Sequence, residues 1–202
     1  YLKEFGLEYI ITESHGILYA NPTPIYGTFA PISTENGIAA FGRDIESSKQ
    51  VWSSVCGYPG DFNYREFYRD IGYDADYEYI KPYIAKNGAR VNTGIKYHRI
   101  TSKEDGFKDY YDLQWAYDSV CNHAGHFFDS RVSQINELSS YMEVPPIVLC
   151  PYDAELYGHW WYEGLLWLYT LFKKGYYDKC DFAFSTPGEY IDKYPVMQES
   201  SI

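Results

Sequence analysis

The sequence lacks a long apolar segment and is poor in basic residues. No apolar run approaches the roughly 20 residues that a membrane-spanning helix needs, which excludes a membrane protein. Lys and Arg number 17 against 28 Asp and Glu, so the net charge of the 202 residues is -11. A field of this sign repels phosphate backbones, and no Lys/Arg cluster offers a local exception. The sequence therefore predicts neither a membrane nor a nucleic-acid partner.

The signatures of several enzyme classes are also missing. There is no GxSxG motif, and the glycines fit no GxGxxG or GxxxxGK frame. The four cysteines are scattered without a CxxC or other metal spacing: Cys56, Cys121, Cys150 and Cys180. Such scatter indicates reduced thiols in a cytoplasmic protein, although two disulfides remain open.

Aromatic residues are abundant, at 20% of the chain with 24 tyrosines. Tyrosine packs through its ring and keeps a hydroxyl for hydrogen bonding. Two interpretations stay open: a core filled with Tyr, or a wet cleft of rings and hydroxyls suited to sugars. The length suits one domain or a large piece of a bigger protein, and the start at Tyr1 favours a piece.

Short apolar runs alternate with helical patterns along the chain. Strands are predicted at residues 8–12, 37–41, 91–100 and 147–150, and helices at 1–5, 61–70, 112–142 and 164–174, with a capping box at Thr186. This alternation predicts an α/β fold with a parallel sheet. Polar clusters follow three of the strand runs, where parallel sheets place their chemistry: Arg43-Asp44, His98-Arg99 and Asp153.

The segment 147–164 carries the strongest functional pattern. The predicted buried strand leads to Asp153, and Glu155, His159, Trp160 and Trp161 follow within nine residues. A glycosidase needs a carboxyl that protonates a leaving oxygen, neighbours that tune it, and rings that stack on sugar faces. The alternative is a helix-capping Asp followed by buried tryptophans.

Two other groups could carry chemistry. His123 and His126 have a spacing that suits two metal ligands, with Asp153, His98 or His159 as a third. Without an HExxH signature, the favoured interpretation is a satisfied, half-buried His123 and a surface His126.

The stretch 41–52 contains Arg43, Asp44 and Trp52. Arg43 could orient a carboxylate or a sugar hydroxyl, and Trp52 could form a stacking platform. The alternative is a surface Arg43–Asp44 ion pair with an indole in the core.

Residues 152–161, YDAELYGHWW, resemble the late catalytic motif of glycoside hydrolase family 57, and most closely that of its 1,4-α-glucan branching enzymes. The likeness continues in AFGRD at 40–44, QVWSS at 50–54, GYPGD at 57–61, YREFYRD at 64–70 and TGIKYHRIT at 93–101. These blocks keep their order over most of the chain.

The resemblance implies an incomplete seven-stranded (β/α) barrel and a retaining mechanism on α-1,4-glucan, without a metal or organic cofactor. It assigns residues 1–195 to the later part of that barrel and 196–202 to a tail leading to a helical domain. Asp153 matches the general acid/base. His159, Trp160 and Trp161 match flanking positions, and Arg43 and Trp52 lie in a block expected near the glucan.

The resemblance also implies a nucleophile that these residues do not supply. It assigns that role to a glutamate upstream of Tyr1, and the context of Glu13 does not match. In the loop 14–26, Tyr19 and Tyr26 are expected to cover the site and exclude water, so that an acceptor 6-hydroxyl receives the glycosyl group. Hydrolysis, 4-α-glucan transfer, non-catalytic glucan binding and metal-dependent deacetylation of a polysaccharide remain alternatives.

Overall fold

The computed structural model describes residues 2–53, 55–84, 86–103, 106–178, 182–196 and 198–202. The chain divides into two compact units. The first unit comprises Tyr1–Val51, Gly125–Tyr152 and Phe172–Ile202, and the second comprises Trp52–Ala124 and Asp153–Leu171. Helices combine with a small sheet, which confirms the α/β class.

The sheet lies in the first unit. Its strands are β1 (Tyr9–Thr12), β2 (Ile32–Ser33) and β3 (Ala39–Gly42), in the order β1-β3-β2. β1 and β3 are parallel, with Tyr9 opposite Ala39 and Thr12 opposite Gly42. β2 pairs antiparallel with β3. The two strands predicted nearest the N-terminus are thus confirmed, and they form a parallel pair.

Seven α-helices and several 3-10 turns are found in the described residues. The α-helices are α1 (Ser14–Leu18), α2 (Ile45–Trp52), α3 (Ile71–Asp74), α4 (Tyr77–Ile80), α5 (Leu113–Ser139), α6 (Gly164–Tyr177) and α7 (Pro187–Lys193). Turns lie at Leu2–Phe5, Gly27–Phe29, Tyr58–Gly60, Lys81–Tyr83 and Ala154–Leu156. α5 and α6 confirm the two long predicted helices, and the capping box of Thr186 with Glu189 is present at the start of α7. The predicted first helix is only a 3-10 turn.

The core of the first unit forms around β3, whose four residues are all buried. Because strand side chains alternate between faces, Ala39 and Phe41 share one face and Ala40 points to the other. Phe41 packs edge-on against Tyr190 of α7, with ring centroids 6.1 Å apart. Ala40 packs with Ile17 of α1 and Ile32 of β2. Both faces of the strand are therefore covered.

The prediction of a strand at 147–150 is wrong within the described residues. Leu149 is buried in the first-unit core. The segment makes separated backbone bonds, from Ile147 N to Phe29 O at 2.9 Å and from Asp44 N to Leu149 O at 2.9 Å. Apolar content correctly indicated burial, but a strand also requires a continuous ladder of hydrogen bonds.

The predicted helix at 61–70 and strand at 91–100 are also wrong. The two segments instead run alongside each other in the second unit, with Glu66 N bonded to His98 O at 2.9 Å and Ile100 N to Tyr64 O at 2.8 Å. Arg65 and Arg99 form an isolated antiparallel bridge. Backbone pairing between distant segments overrides the local helical spacing here.

The core of the second unit is aromatic. The indoles of Trp161 and Trp167 lie with centroids 5.5 Å apart, and Tyr64 lies 5.6 Å from Trp161. All three side chains are fully buried. Other tyrosines, including Tyr68 and Tyr83, are largely exposed. The aromatic content therefore serves both a ring-filled core and an exposed aromatic surface.

The described helices include none that combines the length and apolar character needed to cross a membrane. Cys56, Cys121 and Cys150 are free thiols. Cys180 lies outside the described residues.

Candidate active site

Asp153 is exposed at the residue that precedes the 3-10 turn Ala154–Leu156. The Asp153 carbonyl accepts from Leu156 N at 3.1 Å, while its carboxylate makes no capping bond to the turn. The alternative interpretation, in which Asp153 caps a helix, is therefore wrong. An exposed carboxyl that takes no part in capping is available to a ligand.

The chain after Asp153 folds into a tight loop in the second unit. Trp161 N donates to Leu156 O at 2.8 Å, and Gly158 N donates to Trp161 O at 2.8 Å. Gly158 has a φ of 90°, a conformation that side-chain-bearing residues rarely adopt. These bonds determine how the loop presents His159 and Trp160.

The two neighbouring tryptophans of this loop have opposite environments. Trp160 is 47% exposed, whereas Trp161 is 2% exposed and packs on Tyr64, Tyr157 and Trp167. The predicted direct contact of Trp161 with substrate does not fit this burial, because a sugar cannot stack on an indole enclosed by other rings. Trp161 instead anchors the loop that presents Trp160.

His159 and Trp160 meet a ring from another part of the chain. The Phe67 centroid lies 4.6 Å from that of Trp160 at 32° and 5.6 Å from that of His159. His159 and Trp160 are themselves 5.0 Å apart and edge-on. Since His159 and Trp160 are exposed, part of this ring cluster faces solvent.

Arg43 lies in the first unit, directly after β3. Its Nη1 pairs with Glu13 Oε1 at 3.2 Å. Because Glu13 directly follows β1, the parallel pairing of β1 and β3 brings these two side chains together. Arg43 therefore forms an ion pair with Glu13, and its predicted contact with the glucan stays a prediction.

The predicted surface pair between Arg43 and Asp44 is wrong. Asp44 is buried and caps α2 by accepting from Ser47 N at 2.7 Å. Asp44 also pairs with buried Arg131 at 3.3 Å and accepts from Gln134 Nε2 at 3.1 Å. Adjacent residues at a strand end point in different directions, so Asp44 turns inward while Arg43 meets Glu13.

The remaining predicted contacts are exposed side chains. Tyr19, in the first unit, follows α1 directly, and Trp52, in the second unit, is the last residue of α2. Exposure of Trp52 contradicts the alternative of a core indole. Tyr26 Oη accepts from Glu143 N at 3.4 Å, so this second tyrosine of the loop contacts its own unit.

His123 is engaged by other side chains of the second unit. Its Nδ1 lies 2.7 Å from Tyr64 Oη, and its Nε2 lies 3.6 Å from Asp61 Oδ2. Tyr58 stacks on the imidazole with centroids 4.7 Å apart. His126 is exposed one helical turn later on α5. Within the residues that the structure describes, no three His, Cys, Asp or Glu side chains gather as a metal site.

The family model for "Glycosyl hydrolase family 57" matches residues 1–144. The chain belongs to glycosyl hydrolase family 57. This confirms the resemblance inferred from the sequence blocks. The match stops before Asp153, so the role of that residue still depends on the likeness of its motif and on its geometry.

Several known enzymes are similar to this chain. It is 35% identical to the 1,4-alpha-glucan branching enzyme TK1436 of Thermococcus kodakarensis in an alignment 181 residues long that covers 83% of this chain and 24% of that protein. The alpha-amylase AmyC of Thermotoga maritima has a TM-score of 0.91 at 46% identity, covering 99% of this chain and 39% of AmyC. A family 57 branching enzyme of Pyrococcus horikoshii has a TM-score of 0.77 at 33% identity, covering 98% of this chain and 32% of that one.

Sequence reasoning missed Glu163, a further carboxylate two residues after Trp161. Glu163 is 4% exposed, and its Oε1 accepts from Arg65 N at 3.0 Å and from Tyr111 Oη at 2.7 Å. Its other oxygen is buried without a hydrogen-bond partner. Burial raises the pKa of Glu163, although the bonds from Tyr111 and Arg65 act in the opposite direction. A charged residue within the apolar run 160–168 was the signal that could have identified it.

The conformation of Gly158 gives a test of the loop. A Cβ at Gly158 would require a strained φ and would lie 3.3 Å from Leu165 Cδ1. We therefore expect Gly158→Ala to destabilise the complete protein by about 1–2 kcal/mol in thermal unfolding. The matched control is Gly125→Ala within α5, where a Cβ meets nothing within 4 Å and should stabilise by about 0.5–1 kcal/mol. A Gly158→Ala variant as stable as Gly125→Ala would show that the loop does not need this conformation.

Proposed function

We propose that the protein containing this chain is a retaining α-1,4-glucan enzyme that forms α-1,6 branches through a glycosyl-enzyme intermediate. The observation that carries the proposal is Asp153, an exposed carboxyl that takes no part in capping, at the start of a loop presenting His159 and Trp160. The chain spans about a quarter of the curated branching enzyme that it matches, so this activity is proposed for the complete protein.

Asp153 is proposed as the general acid/base. As an acid it protonates the glycosidic oxygen, so that the sugar leaves as a neutral alcohol while a second carboxyl attacks the anomeric carbon. As a base it then removes the proton of the acceptor 6-hydroxyl, whose oxygen takes the glycosyl group and releases the second carboxylate. The family resemblance assigns that second carboxyl to a glutamate upstream of Tyr1. Retaining enzymes hold their two carboxyl groups about 5–5.5 Å apart.

Five aromatic and basic side chains are proposed as glucan contacts, and all of them except the half-buried Arg43 are exposed. In the second unit these are Trp52, His159 and Trp160, and in the first unit Tyr19 and Arg43. Rings that remain in water offer a flat apolar surface to the C–H faces of glucose. Trp161 is proposed to act by holding Trp160 in place. The free thiols of the described cysteines support a cytoplasmic location, which we also propose. The proposed substrate there is a glycogen-like glucan.

α-Amylase activity is the second candidate. The solved alpha-amylase AmyC is 46% identical to this chain, against 35% for the curated branching enzyme. The two activities share cleavage at the α-1,4 bond and differ in whether water or a glucan hydroxyl accepts the glycosyl group. The exposed Tyr19, after α1, supports a loop that favours the glucan acceptor.

The test is to incubate the complete protein with linear amylose and then to treat the product with an α-1,6-debranching enzyme. Branching predicts that new short chains are released by debranching, with few new reducing ends beforehand. New reducing ends without debranchable linkages would establish an amylase, and redistribution of linear chains a 4-α-glucanotransferase. Binding of amylose without any turnover would leave only a glucan-binding protein.

A further inference from the structure

The ring cluster at Trp160 extends into a segment that the sequence motifs left without a role. Phe67 lies between the loop residues His159 and Trp160 on one side and Tyr68 on the other. The Phe67 and Tyr68 centroids are 5.1 Å apart and their rings are edge-on at 88°. Phe67, Tyr68, His159 and Trp160 are called the Phe67 cluster below. All four belong to the second unit.

The cluster is exposed where a structural core would be buried. Tyr68 is 84% exposed and Trp160 is 47% exposed, while Phe67 between them is half-buried. The Lys96 ammonium lies 5.2 Å from the Phe67 ring centroid and donates to the carbonyls of Phe67 and Arg69. Phe67 thus packs against its neighbours and supports two exposed rings, Tyr68 and Trp160.

The backbone around Tyr68 is held by two buried carboxylates. Glu66 accepts from Tyr68 N at 2.9 Å and pairs with Lys108 at 3.2 Å. Asp70 accepts from Gly72 N, Thr93 N and Gly94 N at 2.8–2.9 Å, and from Thr93 Oγ1 at 2.8 Å. An exposed ring on such a fixed backbone loses little conformational entropy when a ligand binds.

The chemistry of the cluster fits an uncharged sugar polymer. Rigid exposed rings offer apolar faces, and the His159 imidazole and the Tyr68 hydroxyl can bond to sugar hydroxyls. The net charge of -11 opposes a polyanionic ligand. We propose that the Phe67 cluster is a glucan-binding subsite and that Tyr68 is a substrate-contacting residue that extends the surface of Trp160. The identification of this sugar polymer as an α-glucan rests on the proposed function.

The test measures binding of amylose by the complete protein, using electrophoresis in gels with increasing amylose. We expect Tyr68→Ala to raise the apparent Kd about fivefold to tenfold, where tenfold corresponds to about 1.4 kcal/mol. Tyr68→Phe keeps the ring and should stay within about twofold of wild type, because most of the contact is the ring face. Tyr73→Ala is the matched control, since Tyr73 is another exposed tyrosine of the second unit outside the cluster. It should bind like wild type.

A second readout separates binding from folding. Because Tyr68 is exposed, Tyr68→Ala should unfold within about 2 °C of wild type. Should Tyr68→Ala fail to fold, Tyr68→Leu removes the ring and keeps apolar bulk. Equal amylose affinity of wild type and of the folded ring-lacking variant overturns the inference, as does a wild-type protein that amylose does not retard.

The outcomes also separate this inference from the proposed function. Amylose binding that depends on Tyr68, in a protein that cleaves no α-glucan, would support the subsite and overturn the proposed activity. Formation of debranchable linkages from amylose, with a KM unchanged by Tyr68→Ala, would support the proposed activity and overturn the subsite.

Discussion

Asp153→Asn is expected to lower the rate of amylose conversion by the complete protein by about 10²–10⁴-fold, the range attributed to a positioned general acid or base. Asn has nearly the same shape as Asp but cannot transfer a proton at the reacting oxygen. The loss should appear in kcat, because the uncharged glucan does not depend on the carboxylate charge for binding. Initial rates over a range of amylose concentrations measure it.

The structure indicates that this substitution leaves the fold intact. Asp153 is exposed and does not cap its turn, so the melting temperature should change little. Asp118→Asn, at an exposed carboxylate on α5 in the second unit, is the matched control and should retain wild-type activity.

The leaving group distinguishes an acid from a residue that only supports the site. A 4-nitrophenyl maltooligosaccharide releases a phenolate, which needs little protonation as it leaves. Asp153→Asn should therefore slow the first step, glycosylation of the enzyme, much less on this substrate than on amylose. A burst of nitrophenolate isolates that step. Equal losses on both substrates would contradict the general-acid role, and a variant with more than about a tenth of wild-type amylose activity would contradict any direct role.

Local signals in the sequence were sufficient for some elements. Apolar residues recur at three- and four-residue steps along the 27-residue helix α5, and Thr186 and Glu189 form the capping box that their spacing predicts. The likeness to family 57 in residues 152–161 also rests on one short segment, and the general acid/base role that it gives Asp153 stays a prediction. In each case the residues that determine the feature are close in sequence.

Features that depend on distant segments were not predictable from spacing. Residues 61–70 have a helical pattern, yet their backbone pairs with residues 98–101. Nothing in either motif indicates that Phe67 meets Trp160, because their sequence separation is set by the fold. Likewise, Asp44 pairs with Arg131, far along the chain, although Arg43 is its neighbour in sequence.

Burial also separated residues that composition could not distinguish. Trp160 and Trp161 are identical in type and adjacent, but one is half-exposed and the other enclosed. Glu163 is hidden in an apolar run, where sequence alone offers no partner for it. Its partners, Arg65 N and Tyr111 Oη, belong to two other segments of the second unit.

Substitution of Glu163 is expected to have a large effect on the free energy of unfolding. Glu163→Ala removes the acceptor of Tyr111 Oη and Arg65 N, and leaving such donors unsatisfied costs about 1–3 kcal/mol each. Because Tyr111 is only half-buried and can recover water, we expect a total destabilisation of about 2–4 kcal/mol. Urea unfolding of the complete protein at pH 7 measures it.

Glu163→Gln separates the hydrogen bonds from the charge. Gln keeps an oxygen that accepts from Tyr111 and Arg65 but never ionises. Since burial raises the pKa of Glu163 in the folded state, its contribution to stability is fully present below the ordinary Glu pKa of about 4.3 and is lost as pH rises through the folded pKa. Because Gln does not ionise, the Glu163→Gln variant does not lose this stability as pH rises. Glu163→Gln should therefore match wild type near pH 4 and exceed it at pH 8.

The pH series also tests the cause of the raised pKa. If burial of the charge dominates, the stability difference between Glu163→Gln and wild type grows with pH and then levels off above the folded pKa, whereas Glu163→Ala stays the least stable of the three throughout. A Glu163→Gln variant that loses stability relative to wild type as pH rises would mean that the two donors outweigh desolvation. Glu163 would then be an ionised anchor that draws Arg65 N and Tyr111 to the loop of Trp160. The direction of that single stability difference decides whether the Glu163 carboxyl is neutral or charged in the folded protein.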